Sequence, residues 1–140
     1  MLRFLVDTNV LAEPLRPRPN ERILARLERH ANEWALAAPT WCEMILGAER
    51  LPRGKRREIV EAFVARLAAS SVAIVPYDAE AAAWHARERA RLETSGPPRP
   101  FVDGQLAAIA AVNDLTLVTR NARDFRPFRG VTVADWAEAR

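Results

Sequence analysis

Four carboxylates in this chain are spaced so that they could act together. Asp7 comes directly off the apolar run 2–6, Glu43 follows the apolar stretch 34–38, and Asp124 lies just past the run 115–119. Asp103 falls in the first turn of a helical pattern that leads into that last run. In an open parallel sheet, ligands bind just outside the carboxyl ends of the strands. Three of the four acids would stand at that edge. The fourth returns to it from a helix start, where the helix dipole favours an anion.

Crowded carboxylates repel one another unless a cation holds them. Mg²⁺ and Mn²⁺ take oxygen ligands in an octahedron and usually keep several waters. A pocket of this kind could clamp a phosphodiester and generate a hydroxide for in-line attack. Each acid also has a plain structural reading. Asp7 can cap a helix. Glu43 stands three residues after Thr40, the spacing of a capping box. Asp103 can be a favourable first-turn charge, and Asp124 can pair with Arg123 or Arg126. Gly104, beside Asp103, removes a side chain where something has to approach closely.

The elements that must position these groups alternate along the chain. Residues 2–6 do not alternate between polar and apolar, which marks a strand buried on both faces. A short helix follows and is limited by Pro14 and Pro17. Asn20 is a good N-cap for an amphipathic helix over 20–32 carrying Ile23, Leu24 and Leu27. The stretch 34–38 predicts a strand ended by Pro39. Thr40 then caps a helix whose apolar face is Met44, Ile45, Ala48 and Leu51. A longer helix has Ile59, Phe63 and Leu67 at four-residue spacing, and residues 72–75 predict a third strand.

Asp78 starts a helix in which Ala79, Ala82, Ala83, Ala86 and Ala90 allow close packing, with Trp84 on another face. After the turn-rich loop 94–100, residues 101–113 read as a helix with Val102, Leu106, Ile109 and Ala110 on one stripe. Residues 115–119 and 131–133 supply the last strands, with a helical turn over 121–125 between them. This alternation predicts an α/β sandwich with a mainly parallel sheet, in a single domain over residues 1–140.

Composition narrows the function classes. The chain is 49% apolar and 140 residues long, enough for a real core. No apolar run approaches the roughly 18 residues of a membrane span, and no secretion signal opens the sequence. The lone Cys42 excludes an internal disulfide and fits a reducing cytoplasm. Lys and Arg total 21 against 18 acids, and nearly all are arginine, whose fork suits phosphate. Arg16, Arg18, Arg53, Lys55, Arg56, Arg57 and Arg120 are candidate contacts to a nucleic-acid backbone.

Several chemistries lack their residues. There is no glycine-rich phosphate loop, no zinc spacing around His30 or His85, and no nucleophile elbow. His30 reads as part of a solvated helix end, His85 as structural, and Cys42 as a small residue in a packed helix. An aspartate nucleophile of the phosphatase kind is disfavoured because its second acid is here Asn9.

The segments Phe4-Leu5-Val6-Asp7-Thr8-Asn9-Val10-Leu11, Phe101-Val102-Asp103-Gly104-Gln105 and Leu117-Val118-Thr119-Arg120-Asn121-Ala122-Arg123-Asp124-Phe125, with Glu43 between them, resemble a PIN domain. More narrowly, the set resembles the VapC-type toxins of bacterial VapBC toxin–antitoxin modules. The resemblance implies a three-layer α/β/α sandwich and a Mg²⁺- or Mn²⁺-dependent endoribonuclease. By motif, Asp7, Glu43 and Asp103 are the core acids that bind the metal. Family members can carry a fourth acid directly after Thr-Arg. Asn121 occupies that position here and Asp124 comes three residues later, so Asn121, Asp124 or both complete the shell. Thr8 and Thr119 are implied hydroxyl donors. The resemblance also implies a cognate VapB-type antitoxin, a homodimer, and a tRNA or rRNA target. The competing reading is a nucleic-acid or protein-binding module that keeps the fold without catalysis.

Overall fold

The computed structural model describes residues 1–139. Five parallel strands form one sheet in the order β3-β2-β1-β4-β5. They are β1 (Phe4–Val6), β2 (Trp34–Ala37), β3 (Ala73–Val75), β4 (Thr116–Val118) and β5 (Val133–Ala134). Parallel neighbours need crossovers, and helices supply them. Between β1 and β2 run α1 (Thr8–Leu11), a 3₁₀ turn (Glu13–Leu15) and α2 (Glu21–Arg29). Then come α3 (Ala38–Arg50), α4 (Lys55–Ala69), α5 (Ala79–Glu93), α6 (Phe101–Val112) and α7 (Ala122–Phe125).

Alternation along the short strands sends side chains into two cores. Leu5, Ala35, Ala37 and Leu117 pack with α5 and α6 on one face. Phe4, Val6, Leu36 and Val118 pack on the other with side chains from α1, α2, α3 and α4. Both faces are covered, which explains the uninterrupted apolar runs and gives the α/β/α sandwich expected from sequence. β1 lies centrally, and the chain builds β2 and β3 on one side of it before returning to place β4 and β5 on the other. The order therefore reverses at β1, and such a switch point opens a crevice at the carboxyl end of the strand. Asp7 stands there.

Several local expectations are corrected. α3 begins at Ala38, with Pro39 in its first turn, where a fixed φ suits a helix start. Thr40 is thus inside the helix, fully buried, and its hydroxyl has no hydrogen-bond partner among the described residues. No capping box forms, and Glu43 is free of that duty. α5 docks through Ala81, Trp84 and His85, whereas Ala83, Ala86 and Ala90 face outward. Ile45 and Ile59 are likewise exposed, and so is Cys42. α2 ends at Arg29, and His30 is half-buried rather than fully solvated. Its ring packs against Phe4 and Trp136 at 4.9 and 5.5 Å, and its Nδ1 lies 2.8 Å from Glu33. α6 is buried nearly all round, because Gly104, Ala107 and Ala108 add a second inward face to the expected stripe.

Candidate active site at the carboxyl edge of the sheet

Asp7 leaves β1 and caps α1 at once: its Oδ1 accepts from the Thr8 amide at 2.7 Å. Its Oδ2 accepts from the Thr119 hydroxyl, just past β4, at 2.8 Å. Asp7 is only 8% exposed. Burial pushes its carboxyl above the usual range, and the two hydrogen bonds pull the other way. The capping and chemical readings therefore fall on one residue, with one oxygen serving each neighbour.

Glu43 projects from α3 and accepts from the Thr8 hydroxyl at 3.4 Å. Burial raises its pKa first, then the charge of Asp7, while the Thr8 bond opposes; the charge of Asp103 adds to the rise. Asp103 lies in the first turn of α6. Burial, then Asp7, then Asp124 push its carboxyl up, and Arg99 opposes them. The structure thus places Asp7, Glu43 and Asp103 within one another's electrostatic reach at the carboxyl edge, with Asp124 of α7 beside Asp103. Asn121 stands at the N-cap of α7, where its side chain makes no cap bond and its amide donates to Thr119 Oγ1 at 3.1 Å.

Among the described residues, no three His, Cys, Asp or Glu side chains converge closely enough to share a metal ion. The donor set still fits a hard divalent cation. All of its charged groups are oxygen donors; burial lifts Asp7, Glu43 and Asp103, and repulsion from Asp7 adds to the rise at Glu43 and Asp103. A cation would relieve both.

Gly104 makes room for a neighbouring side chain, not for an incoming ligand. A Cβ there would lie 2.0 Å from His85 Nε2. The close approach is made by a buried imidazole of α5, itself 2.7 Å from the Tyr77 hydroxyl. Burial holds that imidazole below its ordinary pKa, and Arg89 acts in the same direction. His85 is therefore structural, as expected, and backs the turn that carries Asp103.

A PIN-domain family model matches residues 4–130. This chain belongs to the PIN-domain family. The toxin FitB of Neisseria gonorrhoeae is 37% identical over 125 residues, covering 87% of this chain and 90% of FitB. The tRNA(fMet)-specific endonuclease VapC of Salmonella typhimurium is 31% identical over 137 residues, covering 97% of this chain and 99% of that enzyme. Among solved structures, FitAB bound to an IR36 DNA fragment matches with a TM-score of 0.84 at 34% identity, covering 98% of this chain and 97% of that one. DNA-bound VapBC from Salmonella typhimurium matches with a TM-score of 0.80 at 31% identity, covering 97% and 99% of the two chains.

The basic residues named from the sequence are less available than their number implies. Arg56 donates to the Leu15 carbonyl at 2.9 Å. Arg57 is tied to Glu49 and Glu61 at 3.3 and 3.2 Å. Arg120 and Arg16 both face Glu13, at 2.9 and 3.7 Å. Arg18, Arg53 and Lys55 are exposed. Sequence reasoning missed Glu13 altogether. It sits just before Pro14, where the short helix is limited, yet it is 1% exposed. Its partner Arg120 is 107 residues away, and no local pattern signals such a pair.

Proposed function

We propose that this chain is a Mg²⁺- or Mn²⁺-dependent endoribonuclease, the toxin of a VapBC-type pair. The observation that carries the reading is the placement of Asp7, Glu43 and Asp103 at the switch point of the sheet, each lifted by burial and two of them by Asp7's charge. When bound, a divalent ion would supply a nucleophilic hydroxide and neutralise charge on the scissile phosphate. Asp7, Glu43 and Asp103 would hold it, with Asp124 and Asn121 contributing directly or through water. Thr8 and Thr119 orient the carboxylates of Glu43 and Asp7 through the bonds described above. Of the basic candidates named from the sequence, Arg18, Arg53 and Lys55 are exposed and would meet RNA phosphates. The name of the Salmonella relative makes a tRNA the first substrate to try, with rRNA next.

A VapB-type antitoxin is the proposed partner, in keeping with the FitAB and VapBC complexes this chain resembles. An apolar cleft of about 280 Å³ between α2 and α4, lined by Leu11, Leu24, Leu27, Trp34, Phe63 and Leu67, is suited to apolar side chains from such a partner. A homodimer is proposed on family grounds. Among the described residues, no helix is long and apolar enough to cross a membrane.

The test is cleavage of total bacterial RNA by antitoxin-free protein with Mg²⁺, with Mn²⁺ and with EDTA, beside Asp7→Asn. Discrete metal-dependent fragments, lost in the variant, are expected. A second reading, an RNA-binding module without catalysis, draws on the neutral Asn121 and on acids that do not converge. It predicts RNA retained on a filter regardless of EDTA, and no product.

A further inference from the structure

Glu13 is almost completely buried in the 3₁₀ turn after α1, and its carboxylate reaches two distant segments. Its Oε2 accepts from the backbone amide of Asn20, the N-cap of α2, at 2.7 Å. Its Oε1 accepts from Arg120 Nη1 at 2.9 Å. Arg120 belongs to the link between β4 and α7. Its own amide donates to Asn9 Oδ1 at 3.2 Å, and Asn9 Nδ2 donates to Thr119 Oγ1 at 3.4 Å. Thr119 is fully buried and its hydroxyl donates a hydrogen bond to Asp7 Oδ2. A continuous chain of contacts therefore joins Glu13 to the central carboxylate.

Burying an ion pair is a poor way to gain stability. The desolvation cost offsets the attraction, and apolar replacements of both partners are often neutral or stabilising. What such a pair supplies is fixed geometry. Arg120 is two-thirds covered and turned onto Glu13, so its charge is spent inside the protein and not on RNA. We propose that Glu13 is a positioning residue for the nuclease site. By clamping Arg120 it holds the 119–121 link against α1, so that the Thr119 hydroxyl stays on Asp7 Oδ2 and Asp7 presents one orientation. This inference rests on the nuclease reading above for its catalytic consequence. Groups that orient a ligating carboxylate typically matter by about 10–100-fold.

The experiment compares wild type with Glu13→Gln/Arg120→Met and, separately, Glu13→Gln. Gln keeps an acceptor for the Asn20 amide, and Met fills the Arg120 volume, so the double variant keeps its fold when the single does not. Amide hydrogen exchange at Arg120 and Asn121 reads the clamp without reference to activity. Single-substrate kinetics on the cleaved RNA read its consequence. The expected result for the double variant is a Tm within about 4 °C of wild type, weakened protection at these two amides, and kcat lower by about 10–100-fold. KM should stay within about threefold, because uniform binding is untouched. Unchanged protection, or wild-type kcat with protection weakened, overturns the inference. A raised KM with unchanged kcat also overturns it, because Arg120 would then touch RNA. Wild-type protein that cuts no RNA would remove the nuclease reading and the catalytic half of this inference, while the exchange pattern would still decide whether the clamp exists.

Discussion

Asp7 is asked to be both buried and charged, and its neighbours show how the conflict is managed. Each of its oxygens has one donor, and each donor comes from a different segment. Replacing it by Asn keeps the shape and removes the charge. Asp7→Asn should lower cleavage at least about 100-fold, the upper end for groups that merely support a ligand, with an unchanged circular dichroism spectrum. Asp124 reaches Asp103 with its charge, whereas Asn121 offers none. Asp124→Asn should therefore reduce kcat about tenfold and Asn121→Ala no more than about twofold, measured as initial rates on one RNA.

The pH sign follows from the same three acids. Asp7, Glu43 and Asp103 are held above their ordinary range when folded. A carboxyl with a raised folded pKa costs nothing below its unfolded pKa and a full penalty above its folded one. Metal-free protein should therefore gain stability from these groups as pH falls from neutral through the raised values. Removing one charge should do the same at fixed pH. Asp103→Asn in EDTA at pH 7 should raise Tm by a few degrees, the usual stability cost of a functional charge cluster. An unchanged or lower Tm would mean that the acids do not strain the metal-free fold.

At the scale of elements, the start of α6 depends on α5. The His85 ring fills the space a Cβ at Gly104 would need, 2.0 Å away, and Tyr77 holds that ring. Gly104→Ala should cost about 1–3 kcal/mol by overpacking, seen in denaturant unfolding. Gly104→Ala/His85→Ala should recover part of that cost relative to the sum of the single variants.

Strand positions were legible because a short apolar run without polar alternation suits a strand covered on both faces and little else. Helix faces were less so. In α5 the alanines at 82, 83, 86 and 90 are compatible with either face, and the larger Trp84 and His85 decided the docking. Thr40 and Glu43 satisfied the capping-box spacing, but Pro39 started the helix earlier. The placement of Asp7, Glu43 and Asp103 at one edge of the sheet was legible because each follows a strand or opens a helix. Glu13 was not, since only the folded chain brings Arg120 to it.

Across the whole molecule, the parallel order β3-β2-β1-β4-β5 turns separate stretches of sequence into one edge. The net charge of +3 does not by itself make an RNA-binding surface, because several arginines are already paired. Arg53→Ala/Lys55→Ala should weaken RNA binding and flatten its salt dependence, by about 0.7 in the log–log slope for each single-strand phosphate no longer neutralised. An unchanged slope in filter binding would place the RNA on another face.

The proposed metal centre is tested most directly by a Mn²⁺ soak of wild-type crystals followed by anomalous scattering. The expected result is a peak bonded to carboxylate oxygens of Asp7 and Asp103, with Glu43 bonded directly or through water, after a small inward movement of the side chains. No peak at this edge in crystals of protein that binds Mn²⁺ in solution, or a peak held by other residues, would contradict the assignment of these acids as the nuclease site.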